Sequence, residues 1–178
     1  TCVTIKNREP YTYNVSTYLG WLLAVTREDP KQILRYIEHT IKPLMPDNFA
    51  DYDGYLFATP NRFVDLNALL DVKFIELFGR KVSRDIKTVE EIKHAVTIVP
   101  SETELCIKFS NVEIDFQNDI LNIPLEDDDS YGKMMAISFY IIGCIQEQLP
   151  QYYKNNINSY VNRNSSEKFG KVVDVVVE

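Results

Sequence analysis

This sequence lacks an excess of basic residues, because acidic residues outnumber them. It has 19 Lys and Arg residues against 26 Asp and Glu residues, which gives a formal net charge of −7. Nucleic-acid backbones and anionic membrane surfaces are bound by clustered Lys and Arg side chains. We therefore expect no direct nucleic-acid binding by this segment and no binding to a membrane.

Cysteine and histidine are also few and widely separated. The cysteines are Cys2, Cys106 and Cys144, and the histidines are His39 and His94. A structural zinc site needs closely spaced ligand pairs such as CxxC, and the sequence has none. Distant cysteines in odd number predict small buried thiols in a reducing, cytoplasmic environment. The two histidines are expected at the surface or half-buried rather than in a catalytic site.

Long apolar runs and glycine-rich loops are missing as well. The longest mostly apolar run covers residues 134–145. It is shorter than the ~20 residues of a membrane span, so it predicts a buried helix. The glycines are scattered, and the sequence has neither a P-loop nor a GxSxG motif. Catalysis therefore has little support, and we predict no catalytic, cofactor-binding or metal-binding residues.

What the sequence does contain is typical of one globular domain. Of its 178 residues, 45% are hydrophobic and 25% are charged. We predict a single α+β domain over residues 1–178, with a small, mostly antiparallel sheet packed against several helices and a long C-terminal helix. Because the chain begins at Thr1 rather than Met, we expect it to be a piece of a longer protein.

Alternation and helical spacing place the predicted elements. The strands are expected at 2–5, 11–15, 55–58, 96–99, 104–109 and 112–116, with a strand or ordered tail at 172–177. The helices are expected at 18–26, 30–41, 63–77 and 88–94, and from about 130 towards 164. The turn Ser110-Asn111 lies between two alternating segments and predicts a hairpin within 104–125. Its polar residues alternate with the apolar ones and are expected to form the solvated face of the sheet: Glu104, Lys108, Glu113 and Asp115.

Local signals predict where several helices begin and end. Asp29 and Pro30 suit a helix start, as N-cap and first helical residue. Gly79 is placed to end the third helix in a left-handed conformation. Thr88 and Glu91 fit a capping box. Pro150 should kink or split the long final helix, whose start is expected to be capped by the acidic residues 126–129.

One trio of residues suggests an enzyme. Asp53, Asp71 and Lys73 resemble the PD-(D/E)xK nuclease signature, in which two carboxylates hold a divalent metal and the lysine orients the attacking water. Glu38 could supply a further acid. This hypothesis needs residues 69–77 to form a strand, whereas their apolar spacing favours a helix with Asp71 and Lys73 on its solvated surface. A calcium loop around Gly54 is excluded, because Phe49 and Pro60 would occupy ligand positions.

Tyrosine is abundant and spread along the whole chain. The sequence has 11 Tyr and 9 Phe residues. Tyrosine has an apolar ring and a polar hydroxyl, which suits pockets and protein interfaces. The alternative explanation is a coding bias of an AT-rich gene, which would favour the same residues without any functional reason.

One stretch resembles a known family. VEIDFQNDILNIPLEDDDS (112–130) is similar to the end of the effector-sensing region in a subgroup of AraC-type transcription regulators. That region has a strand ending in Phe, then a Leu, Pro-Leu, an acidic residue and a helix. The segment 19–39 resembles that group's apolar helix, loop and second helix, and LFGRKV (77–82) resembles the end of its next helix. Two parts depart from the pattern: the helix-turn-helix unit does not follow within this sequence, and the opening helical region is missing.

Three functions therefore stay open. The first, implied by the resemblance, is a non-catalytic ligand-sensing or regulatory domain that binds a small-molecule effector and dimerises as part of a transcription regulator. The second is a protein–protein interaction module, and the third is the metal-dependent nuclease. A closed apolar pocket under the sheet would favour sensing. An exposed aromatic face would favour a protein partner, which includes a second copy in a homodimer.

Overall fold

The computed structural model describes residues 16–95, 99, 101–109, 114 and 119–169. The α-helices in these residues are α1 (Ser16–Thr26), α2 (Pro30–Tyr36), α3 (Val64–Phe78), α4 (Val89–Ala95), α5 (Tyr131–Gln148) and α6 (Tyr152–Phe169). The strands are β1 (Gly54–Thr59), β2 (Ser83–Thr88), β3 (Glu104–Lys108) and β4 (Ile120–Asn122). A π-helical turn at Ile37–Ile41 continues α2, and short 3-10 turns lie at Lys42–Leu44, Phe49–Asp51 and Asn61–Phe63.

The strands form one sheet in the order β2-β1-β3-β4, and every pair in it is parallel. The predicted combination of helices with a small sheet is correct, but the mostly antiparallel arrangement is wrong. The physical reason is the crossover helix α3, which returns the chain to the start of the sheet between β1 and β2. Every residue of β1 is buried, as expected for a strand of a parallel sheet with both faces covered.

β3 does not form the predicted hairpin. β3 lies between β1 and β4 and runs parallel to both, with Gly54 opposite Glu104 and Cys106 opposite Ile120. Of the predicted second hairpin strand, only Ile114 is among the described residues, and it is buried. The predicted strands at 2–5, 11–15 and 172–177, and 96–99 except Val99, also lie outside the described residues.

The main core lies on one face of the sheet. Tyr55 and Phe57 of β1 and Ile107 of β3 point into it, and Phe74 of α3 and Ile141 of α5 cover them. The rings of Phe57 and Phe74 meet edge to face, with centroids 5.9 Å apart. Such a contact between buried aromatic rings adds about 0.5–1.5 kcal/mol beyond their burial. This packing fixes α3 and α5 on the same side of the sheet.

A smaller core covers the opposite face. Leu56 and Cys106 pack there against Ile92 of α4. Burial raises the pKa of the Cys106 thiol to about 12, so this cysteine is an inert buried group. The expected solvated face of β3 is therefore wrong. Lys108 is only 9% exposed, and burial, followed by the charge of Asp85, raises the pKa of Glu104.

Most of the local signals at helix ends are confirmed, but the predicted cap of the final helix by residues 126–129 is wrong, because the cap of α5 comes from Glu28. The Asp29 carboxylate accepts a hydrogen bond from the Lys31 N–H at 2.9 Å, directly before Pro30 at the start of α2. Gly79 ends α3 with φ of 60°, a positive value that suits glycine. The long C-terminal helix is divided into α5 and α6 by the break around Pro150.

The capping box of α4 is also present. The Thr88 N–H donates to Glu91 Oε2 at 2.7 Å, and the Glu91 N–H donates to Thr88 Oγ1 at 3.3 Å. The hydrogen bonds that the Thr88 N–H and hydroxyl donate to the Glu91 carboxylate lower the pKa of this group. Within the part of the chain that the structure describes, no helix is long and apolar enough to cross a membrane.

Candidate functional site

A cleft of about 460 Å³ lies between the α1–α2 loop, α2 and the start of α5. Arg27 and Glu28 line it from the loop, Tyr36 from α2, and Asp128 and Lys133 from the other side. The loop turns sharply at Arg27, whose φ is 61°. Non-glycine residues adopt a positive φ rarely, so this turn is a constrained feature of the cleft wall. The cleft is open and polar, unlike the closed apolar pocket that would favour sensing of an apolar effector.

Lys133 is the charged centre of this cleft. Its Nζ lies 2.9 Å from Glu126 Oε2, 2.5 Å from Asp129 Oδ1 and 3.6 Å from the centroid of the Tyr36 ring. The residue is 8% exposed. Burial lowers its pKa, but the hydrogen bonds and charges of Asp129 and Glu126 outweigh that effect, so the pKa of Lys133 is raised. The lysine therefore stays an ammonium ion, held between two carboxylates and an aromatic face.

Three acidic residues of the cleft lie close together. Glu126, Asp128 and Asp129 each place one carboxylate oxygen within 4.8 Å of the others. Carboxylate oxygens suit hard cations such as Ca²⁺ or Mg²⁺. However, the Lys133 ammonium already contacts two of the three residues. Because it supplies the positive charge that a metal would bring, we assign no metal to this group.

The acidic segment before α5 is held from the carboxyl end of β1. Arg62 donates hydrogen bonds to the backbone oxygens of Glu126, at 2.8 Å, and Asp127. Tyr131 in turn donates its hydroxyl proton to the Arg62 carbonyl at 2.8 Å. The Tyr36 hydroxyl donates to the Pro124 carbonyl at 2.9 Å. These contacts fix the cleft walls relative to the sheet.

The trio of the nuclease hypothesis does not share one face of an element. Asp53 directly precedes β1, while Asp71 and Lys73 lie on α3, a helix and not the required strand. Residues two apart on a helix project about 200° apart. Asp71 and Lys73 also have other partners. Arg84 Nε is 2.9 Å from Asp71 Oδ1, and Lys73 Nζ is 2.7 Å from Glu76 Oε2.

The other residues considered from sequence are mostly at the surface. His39, in the π-helical turn, and His94, in α4, are exposed. Lys73, expected on a solvated helix surface, is instead buried at 9% exposure. Cys144, near the end of α5, is a half-buried free thiol.

A second candidate surface is the outer side of α1. We define the α1 face as Tyr18, Gly20, Trp21, Ala24 and Val25, all of which are exposed. Its large members are 62%, 68% and 62% exposed for Tyr18, Trp21 and Val25. Leu19 and Leu22, on the opposite side of the helix, pack against the main core. The helix thus has apolar residues both towards the core and towards solvent.

Sequence reasoning located α1 but missed its exposed face. The usable signal was the lack of any charged residue between Ser16 and Thr26. A helix on the surface of a globular protein normally has a polar side. A helix that is apolar all round is expected to be covered on both sides, and the described residues cover α1 on one.

No family model, curated protein or solved structure gives a significant match to this chain. The resemblance to the sensing region of AraC-type regulators therefore stays a prediction.

Proposed function

We propose that this domain is a non-catalytic interaction module that binds a protein through the α1 face. The observation that supports it is the exposure of Tyr18, Trp21 and Val25 on a helix without charged residues. Aromatic residues are enriched where protein interfaces bury their centres, and charged residues are depleted there. An exposed aromatic face is the feature expected of this function rather than of effector sensing.

The spacing of the exposed residues supports the same function. Tyr18, Trp21 and Val25 are three and four residues apart, so they form one ridge along a single side of α1. Exposed apolar side chains scattered singly need no explanation, but a contiguous patch indicates an interaction site. The ridge places an indole ring at its centre, and tryptophan is among the residues that dominate binding energies.

Site-specific photo-cross-linking in the cells that express the protein tests this function. A photoreactive amino acid is placed at Ala24, in the α1 face, and separately at Val72, which is exposed on α3. We expect covalent protein adducts from position 24, reduced when Trp21 is also replaced by Glu, and few from position 72. Equal adduct yields from the two positions would overturn the proposal.

A second candidate function, ligand sensing, is supported by the cleft. Its volume of about 460 Å³ lies in the range of small-molecule sites. The carboxylates that line it outnumber the cations Arg27 and Lys133, so the expected ligand is a small organic cation such as an amine. In this hypothesis the domain is the regulatory part of a longer protein, and the AraC-type version requires a helix-turn-helix unit elsewhere in the same polypeptide.

Isothermal titration with a panel of simple diamines and polyamines tests the second candidate. We expect saturable binding that weakens with added salt and with Asp128→Asn, since that exposed carboxylate lines the cleft. Asp47→Asn, at an exposed acid that does not line the cleft, is the matched control. Binding that responds equally to both substitutions, or no binding at all, would exclude the cleft as an amine site.

A further inference from the structure

We propose that the partner at the α1 face is a second copy of this chain, with the two α1 helices packed against each other across a two-fold axis. This inference rests on the proposed interaction function and specifies its partner.

The α1 face has a ridge and a groove side by side. Tyr18, Trp21 and Val25 form the ridge, and the small residues Gly20 and Ala24, four apart, form the groove next to it. A Cβ added at Gly20 would meet no atom within 4 Å, so the groove is open to solvent. Helices pack by placing the ridge of one into the groove of the other. A two-fold axis brings the ridge of each copy over the groove of the other, so the face is complementary to itself.

Charge favours a second copy over an unlike partner. The chain has a net charge of −7, so most contacts between two copies bring like charges together. Between Ser16 and Thr26 there is no charged residue to repel its equivalent in the other copy. A basic partner protein would instead be attracted to acidic surfaces such as the 126–129 segment. The uncharged face therefore suits association of two identical acidic chains.

The size of the face predicts how strong the dimer is. An 11-residue helix is about 16 Å long. A contact confined to one side of such helices falls below the roughly 1,200–2,000 Å² of standard stable interfaces. We therefore expect a reversible dimer that dissociates on dilution, with each protomer folded on its own.

Trp21 is the single tryptophan of the chain, so its fluorescence reports on this surface alone. The test follows sedimentation velocity and tryptophan emission over the same concentration series. We expect the dimer fraction and a blue shift of the emission to rise together. Trp21→Glu, followed by sedimentation, should weaken dimerisation at least about 30-fold, because an isologous interface has the change in both copies.

Two further variants separate loss of the interface from loss of folding. Gly20→Leu fills the groove without adding charge and favours the helix, so it should give a folded monomer whose Trp21 emission does not shift with concentration. Val72→Glu adds the same charge to an exposed apolar position on α3 and should dimerise as the wild type does. Circular dichroism of each variant checks that the helices are intact.

The possible outcomes distinguish this inference from the proposed function. A wild-type chain that stays monomeric, or a dimer that persists in folded Trp21→Glu and Gly20→Leu, overturns the α1 dimer. If the cross-linker at Ala24 then captures a different protein, the interaction function stands with another partner. If it reacts only with residues 1–15 of its own chain, that segment covers the face and both proposals fail. If the Trp21 emission shifts to the blue only when neutral phosphatidylcholine vesicles are added, both proposals are also overturned.

Discussion

The Glu28 carboxylate accepts a hydrogen bond from the Gly132 N–H at 2.8 Å, across 104 positions of sequence. Its second oxygen accepts one from the Lys133 N–H, also at 2.8 Å. The first N–H groups of a helix have no partner within the helix, and a carboxylate there also meets the positive end of the helix dipole. A residue of the α1–α2 loop therefore caps α5 and ties the first half of the chain to it.

Removing this cap should destabilise the domain. We expect Glu28→Ala to lower the free energy of unfolding by about 1–2 kcal/mol, since two charge-assisted hydrogen bonds to a helix start are lost. Urea denaturation monitored by circular dichroism measures the change. Glu38→Ala, at an exposed acid just after α2, is the control and should stay within about 0.5 kcal/mol of the wild type. Equal effects of the two substitutions would contradict the capping role.

Two glycines of α5 should respond in opposite directions to alanine. A Cβ at Gly132 would lie 2.8 Å from Leu23 Cδ2 and closer still to the Glu28 carboxylate, while a Cβ at Gly143 would meet nothing within 4 Å. Gly143→Ala should stabilise the domain by up to about 1 kcal/mol, through helix propensity alone. Gly132→Ala should destabilise it, because the added methyl displaces the cap. Thermal unfolding of both variants checks the signs, and stabilisation by both would contradict the close packing at Gly132.

The contacts at the helix ends show which parts of the structure can be predicted from the sequence. Asp29 with Lys31, and Thr88 with Glu91, interact within three residues, so local rules were sufficient to predict them. The Glu28 cap joins residues far apart in sequence, and nothing local distinguishes Glu28 from other loop acids. The contacts of Lys133 with Glu126 and Asp129 are short in sequence, yet the cleft also needs Tyr36 from α2.

The direction of the strands was the main error, and its cause is also non-local. Alternation along 104–109 correctly predicts a strand, but it does not establish that one face of the strand is solvated. Alternation describes which side chains share a face and not what covers that face. Ile92 and the rest of the smaller core cover the second face, where Lys108 is buried and Glu104 is half-buried. The parallel pairing of β1 with β2 follows from the α3 crossover, which no short window of sequence reveals.

Burial of Glu104 predicts a specific pH dependence. Its folded-state pKa is raised, first by burial and then by Asp85, so the folded state favours the protonated form. A raised pKa contributes stability that is present below the unfolded-state pKa and is lost as pH rises through the folded-state pKa. Glu104→Gln, which cannot ionise, should therefore be more stable than the wild type at neutral pH and lose this advantage in acid. Urea titrations at several pH values measure the difference.

The control for this prediction is Glu102→Gln, at an exposed acid just before β3. It removes the same charge from the surface and should change the free energy of unfolding at neutral pH by no more than about 0.5 kcal/mol. If Glu104→Gln is instead destabilising at neutral pH, the ionised carboxylate has a stabilising partner, and the effect assigned to burial is wrong.

The ion pair between Asp71 and Arg84 gives a test that separates a structural role from a nuclease role. Arg84 Nε lies 2.9 Å from Asp71 Oδ1, and the pair joins α3 to β2. Because the Asp71 side chain is about half exposed, we expect Asp71→Ala to cost no more than about 1 kcal/mol. The Arg84→Ala change should cost a similar amount. The double variant should then cost less than the sum of the two single changes, since both remove the same interaction.

The same Asp71→Ala variant tests the nuclease hypothesis. Since α3 is a helix that directs Asp71 and Lys73 to different sides, we expect the wild-type protein to show no Mg²⁺- or Mn²⁺-dependent cleavage of single- or double-stranded DNA or RNA. Gel assays with each nucleic acid, run with and without a chelator, measure this. Cleavage that requires metal and disappears in both Asp53→Ala and Asp71→Ala, while Glu76→Ala retains it, would show that these carboxylates act together. The ion pair with Arg84 would then be broken in the active form.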